Sequence, residues 1–221
     1  MLSANAFSQE ILLKQNVKAD SIRPTRGPNL KNYVHGYFGV GFPLYTNEGS
    51  SYTKPILSSS FDFGIRYKLK VTNFLALGSD LGVIASSFKI KQIEGKLIPD
   101  DKMNKKEKIQ INTLVGSVFL RVNVGRRGNY IGNYLDMGGF WGWNMVKKHV
   151  TINKNLAEER VKIVTSKLKY IDDFSYGLLA RLGSNRYAIT ACYRLSDFFK
   201  PSYSMAELPR LNVGFECGIF K

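Results

Sequence analysis

Acidic residues are scarce in this chain: Asp and Glu number 17 against 32 Lys and Arg, a formal charge of +15 on 221 residues. A charge of that size draws polyanions such as nucleic acid, lipid phosphate or an acidic partner. Cysteine is scarcer still. Two residues exclude a disulfide-stapled scaffold and a cysteine-rich zinc centre. No run of about 18 apolar residues exists, and the mean hydropathy is -0.17, which excludes a helical membrane protein. The 44% apolar and 22% charged fractions equally exclude a disordered chain. Phosphate-cradling motifs are missing: there is no G-x-x-x-x-G-K-[S/T], and Gly36, Gly39 and Gly41 do not fall in the G-x-G-x-x-G order. What is plentiful is Gly (20), Phe (14) and Tyr (12) against 7 Pro, a β composition.

The chain opens Met1-Leu2-Ser3-Ala4-Asn5-Ala6-Phe7-Ser8-Gln9. Ala4-x-Ala6 followed by Ser8-Gln9 has the small-x-small form of a secretory cleavage site, without the basic and apolar regions that precede one. Residues 1–9 are therefore expected to be a signal-peptide remnant, with the full peptide encoded upstream and the mature chain starting near Gln9 or Glu10. An ordinary polar N-terminus is the alternative. Residues 10–32, polar and carrying Pro24 and Pro28, are expected to form a periplasmic N-terminal tail. The single domain is expected over 33–221.

From Tyr33 onward the apolar period is two. Val34, Phe38, Val40 and Phe42 alternate with His35, Tyr37, Gly39 and Gly41. Phe61, Phe63, Ile65 and Tyr67 alternate with Ser60, Asp62, Gly64 and Arg66. The same alternation recurs around Leu75–Ala85, Thr113–Asn123, Tyr134–Met145, Asp173–Leu182, Tyr187–Ser196 and Leu211–Ile219, which makes about eight strands. Their connections alternate in length. Val71-Thr72-Asn73, Gly125 to Asn129 and Gly183-Ser184-Asn185 are tight turns, whereas Leu44 to Pro55, Lys89 to Lys108, Lys147 to Lys169 and Asp197 to Pro209 are long and polar. All short turns then fall at one end of the sheet. The expectation is an all-β, eight-stranded antiparallel up-and-down transmembrane β-barrel, with short turns periplasmic and long loops outside.

The two faces decide between a membrane barrel and a soluble lipocalin-like one. The polar face is rich in Gly, Ser, Asp and Arg, as suits a narrow interior. The apolar face carries Trp141, Trp143, Tyr67, Tyr187 and Tyr193 near strand ends, as interfacial girdles do. Lys is concentrated in the long loops rather than along the strands. The membrane barrel is the preferred reading.

Stretches such as Phe61-Asp62-Phe63-Gly64-Ile65-Arg66-Tyr67 leading through Thr72-Asn73 into Leu75-Ala76-Leu77-Gly78, and the ending Gly214-Phe215-Glu216-Cys217-Gly218-Ile219-Phe220-Lys221, resemble the small eight-stranded outer-membrane barrels, the OmpA-like and PorT-like barrel domains. The resemblance covers roughly residues 33–221. It implies a terminal aromatic read by the insertion machinery, here Phe220, and a place in the outer membrane of a diderm bacterium. The PorT-like side of it implies service to secretion.

Counting heights from the short turns places opposite charges on adjacent strands: Arg66 with Asp80, Arg121 with Asp136 and, with looser register, Arg194 with Glu216. These six are expected to form a buried ion-pair ring that plugs the interior, with His35 and Tyr37 beside it. Cys192 is expected to face inward and Cys217 outward, so they cannot bridge. Asp100-Asp101 is flanked by Lys102, Lys105 and Lys106, which argues against a calcium site. His149, expected in a long loop at the outer rim, is the one candidate for catalysis, with a solvated loop histidine as the alternative.

Lys102, Lys105, Lys106 and Lys108 in one loop, and Lys147 and Lys148 at the start of the next, are candidate contacts for lipopolysaccharide phosphates or an acidic protein, or are solvated lysines without a partner. Asn155 to Val164 has the composition of a short helix. The loops lack the interleaved aromatics of a nucleic-acid groove, so no nucleic acid is expected. The sequence thus predicts no enzyme, no cofactor and no metal. It predicts an integral outer-membrane barrel serving as a structural or accessory subunit of a larger outer-membrane complex for secretion, insertion or nutrient uptake. A stand-alone narrow channel or surface-binding barrel is the alternative, and a lipid-modifying enzyme using His149 the third.

Overall fold

The computed structural model describes residues 27–44, 52–54, 57–94, 96, 98–99, 103–125, 128, 130–154, 159–203 and 205–219. The expected signal remnant, most of the N-terminal tail, Asp100-Asp101, Lys102 and Phe220 lie outside these residues. The fold is all-β and antiparallel: β1 (Asn32–Leu44), β2 (Ser59–Lys70), β3 (Leu75–Lys89), β4 (Lys106–Val124), β5 (Asn133–Lys154), β6 (Arg160–Ser166), β7 (Phe174–Ser184), β8 (Tyr187–Arg194) and β9 (Leu211–Ile219). Neighbours pair in the order β4-β3-β2-β1-β9-β8-β7-β5, and β4 pairs β5 in turn, so eight strands close into a ring. The first strand meets the last through Gly36↔Ile219 to Leu44↔Leu211.

The ring is uneven in height. β4 has 19 residues and β5 has 22, against 8 in β8. The excess of β4 and β5 continues as a ribbon above the ring, where β5 also pairs β6 through Lys148↔Ser166 to Lys154↔Arg160. Two expectations are corrected here. Much of the expected loop from Lys147 to Lys169 is strand: β-branched residues Val150, Thr151, Ile152, Val161, Ile163 and Val164 pair across a hairpin despite the surrounding lysines. For the same reason residues 160–164 are extended rather than helical, and residues 155–158 lie outside the described set. The register shifts between Asn112 and Thr113, so that Met145 is an extra residue and every position of β5 beyond it changes face.

Within the ring the polar face points inward and the apolar face outward. Phe63 and Leu81 keep 63% and 62% of their surface, while Arg66, Arg121 and Asp136 keep 2%, 1% and 0%. This is the inverse of a water-soluble barrel. The interior closes because bulky side chains lie over glycines on the neighbouring strands. Phe119 is opposite both Gly78 and Gly138, and a Cβ on Gly78 would stand 2.1 Å from the Phe119 ring. Tyr134 covers Gly183 in the same way, at 2.2 Å.

Candidate functional site

The interior is built in levels. At the short-turn end, residues 27–30 fold across the mouth: Lys68 donates to the Pro28 carbonyl, and Lys70 Nζ reaches Asn29 Oδ1 at 3.2 Å. Above them Tyr33 stacks on His35, with ring centroids 5.1 Å apart.

The next level is ionic. β2 and β3 leave their turn together, so Arg66 stands opposite Asp80 and donates through Nε to Oδ1 at 2.8 Å. β4 and β5 do the same for Arg121 and Asp136, joined by two bonds of 2.6 and 2.7 Å. Such fork-on-fork contacts are the strong form of an ion pair. The third partnership differs from the expected one. Glu216 is not paired with Arg194 but is held by Arg66 and by Arg181, the latter at 3.1 Å. Register explains this. Glu216 stands opposite Ala188, and Arg194 is six residues further along β8, about 20 Å away by strand rise. Arg194 instead joins Glu207 at 2.8 Å near the other end of the ring. Arg181, opposite Asp136 on β7, is the residue that counting heights missed. It contacts Asp80, Asp136 and Glu216 together.

The level therefore holds three guanidinium groups and three carboxylates in charge balance. Aromatic faces supply the remaining contacts. Arg121 lies 3.8 Å above Tyr134, Arg66 4.5 Å above Tyr37, and the Phe119 ring sits within 5.0 to 5.8 Å of all three guanidinium carbons. Ser117 donates to Asp80 at 3.1 Å.

Beyond the ionic level lies a cavity of about 170 Å³, with Asp62, Cys192, Phe140 and Asn212 in its wall. The long-loop end is then narrowed by an apolar cluster of Ile90, Ile98, Ile109, Ile111, Leu168, Ile171, Phe198, Phe199 and Leu208. Three of the expected long loops and the base of the ribbon thus build a small core of their own. Beside it Glu107 is buried, accepting from Gln92 Nε2 at 2.7 Å, from Lys96, and lying 2.8 Å from His149 Nε2. Burial pushes the Glu107 carboxyl up, but the hydrogen bonds from His149, Lys96 and Gln92 outweigh it and hold it at about 2.

His149 accordingly sits on β5, turned to the carboxylate, not in a loop. Of the candidate lysines, Lys105 is exposed at the start of β4. Lys106, Lys108 and Lys148 share one face of the ribbon. Lys147 is turned by the bulge to the opposite face, where it donates to the Ile171 carbonyl at 2.9 Å and joins Asp173. Cys192 and Cys217 are unbridged. Among the described residues no group of three or more His, Cys, Asp or Glu side chains is gathered as a metal site. The sequence matches no protein-family model and no curated protein, so the site is read from its own geometry.

Proposed function

We propose that the chain is an integral outer-membrane β-barrel whose interior is closed, and that it serves as a structural or accessory subunit of a larger outer-membrane complex. The observation that carries this reading is the combination of an outward apolar surface with an interior crossed by a level of paired charges. Large outward residues such as Phe61, Phe63, Leu81, Trp141, Phe174 and Leu182 are costly to leave in water and well suited to lipid. The paired charges inside favour the same arrangement, because charges buried within a ring are tolerated when each has a partner. A barrel filled at its ionic level offers no continuous path for solutes, and a role through its surface follows. Lys105, Lys106, Lys108 and Lys148, all at the long-loop end, suit the phosphates of lipopolysaccharide or the acidic face of a protein.

The test is extraction of native membranes in mild detergent, followed by co-purification. The barrel is expected in the outer-membrane fraction with stoichiometric partners, and to change mobility on a denaturing gel only after boiling. A partner-free monomer that conducts ions steadily in a planar bilayer overturns the accessory reading in favour of the narrow channel. A monomer soluble without detergent overturns the membrane reading altogether. The enzyme reading needs His149. With its Nε2 against buried Glu107, the His149→Ala variant is expected to leave any lipid-modifying activity of the preparation unchanged.

A further inference from the structure

Every inward guanidinium of the ring is already committed. Arg66, Arg121 and Arg181 balance Asp80, Asp136 and Glu216, while Arg194 and Arg210 hold Glu207 and Asp197. One carboxylate is left over. Asp62 has no ion pair among the described residues and stands in the wall of the 170 Å³ cavity. It lies over Gly39, where a Cβ would come 2.3 Å from Oδ1, so the glycine is what makes room for it. Two positions along β1, Gly41 makes the same room for Ser60 and Asn212, at 2.6 and 2.7 Å. Asn212 donates one amide hydrogen to Ser60 Oγ at 2.8 Å, and its buried Oδ1 has no donor among the described residues. The cavity wall therefore presents a carboxylate over Gly39 and, two positions along the same glycine strip, an orphaned carbonyl oxygen over Gly41. Both accept hydrogen bonds and neither has a cation. Ile84 stands beside Asp62 on the neighbouring strand, and Phe140 on β5 and Leu179 on β7 give the wall across the ring apolar surface.

The geometry points to a binding site for a small organic ammonium ion: the charged nitrogen on Asp62 and Asn212, and a compact apolar body against the opposite wall. A charge-assisted bond to a desolvated carboxylate is the strong kind, and a buried carbonyl left without a donor is costly until something supplies one. The volume fits a body about the size of a benzene ring, which fills an apolar cavity of about 150 Å³. The cavity wall reaches Arg210, whose side chain is 24% exposed at the long-loop end, and this marks the side from which the site is reached. The inference concerns the interior alone and holds whichever solvent surrounds the ring.

The test is calorimetric titration of the refolded barrel with benzylammonium, and with benzyl alcohol as the uncharged analogue. Saturable one-to-one binding of benzylammonium is expected, at least about tenfold tighter than the alcohol. Asp62→Asn is expected to abolish that preference. If Asp62→Asn fails to fold, as judged by gel mobility before boiling, Asn212→Leu is read in its place and should weaken benzylammonium by about tenfold. Equal affinity for amine and alcohol, unchanged binding in the variant, or no saturable heat up to about 10 mM amine overturns the site.

Discussion

Arg181 is the residue on which the ionic level turns. It alone contacts Asp80, Asp136 and Glu216, through Nη2, Nη1 at 3.5 Å and Nε at 3.1 Å, and its side chain is 5% exposed. Arg181→Met keeps length and apolar volume and removes the charge, leaving three carboxylates to two guanidinium groups inside the ring. Breaking a buried pair from one side costs about 3–5 kcal/mol, because the stranded charge stays desolvated. Arg210→Ala is the comparison. Its partner Asp197 is 57% exposed, and a pair in that setting is worth about 0–1 kcal/mol. Both are measured by urea unfolding of the barrel refolded in lipid vesicles, followed by the fluorescence of Trp141 and Trp143, which point outward on β5. The expected midpoint shift is large for Arg181→Met and small for Arg210→Ala. Adding Asp80→Asn to Arg181→Met should recover part of the loss by restoring the balance of charge. A loss below about 1 kcal/mol, or no recovery in the double variant, refutes the argument that charge parity holds this level together.

Arg121→Ala leaves buried Asp136 with only the 3.5 Å contact to Arg181 and is expected to cost about 3–5 kcal/mol in the same assay, against about 0.5 kcal/mol or less for exposed Lys105→Ala. Gly78→Val places a side chain into the Phe119 ring, where even a Cβ would lie at 2.1 Å, and should prevent refolding as judged by gel mobility, whereas Gly139→Ala, whose Cβ would meet only the Gly177 carbonyl oxygen at 3.5 Å, should refold. Glu107 has its carboxyl depressed in the fold, so the stability it contributes is complete above its ordinary titration range and is lost as pH falls through about 2. Hydrogen exchange in residues 103–111 should accordingly quicken between about pH 4.5 and 2, and Glu107→Gln should remove that dependence.

How much of this was readable in the sequence depends on distance from a tight turn. Arg66 and Asp80 flank one short connection and Arg121 and Asp136 another, so their heights follow from counting residues. Glu216 is reached only through the long connection before β9, which sets no register, and its neighbours Arg66 and Arg181 are strands away in the chain. Arg181 itself was in view as an inward residue, but its role comes from facing Asp136 across β5 and β7, which are separated by the whole β6 hairpin. Lys147 was hidden by a single extra residue at Met145, since one inserted position inverts the alternation beyond it. The ribbon was obscured by its lysines, because composition there says loop while β-branched residues at alternate positions pair as strand. Asp62 was legible as an inward carboxylate. That it has no cation is visible only once every inward arginine has been assigned.

The closing pair of strands has a consequence for assembly. Among the described residues β1 comes first along the chain and β9 last, and the ring is complete only when they pair. Glu216 travels on β9, so until that moment the ionic level holds Arg66, Arg121 and Arg181 against Asp80 and Asp136 without its third carboxylate. An unfinished sheet is thus electrically unbalanced as well as open at its edges. Pairing β1 with β9 seals the edge and adds the third carboxylate to the ionic level in one event: a ring without Glu216 gains less from being partly shut.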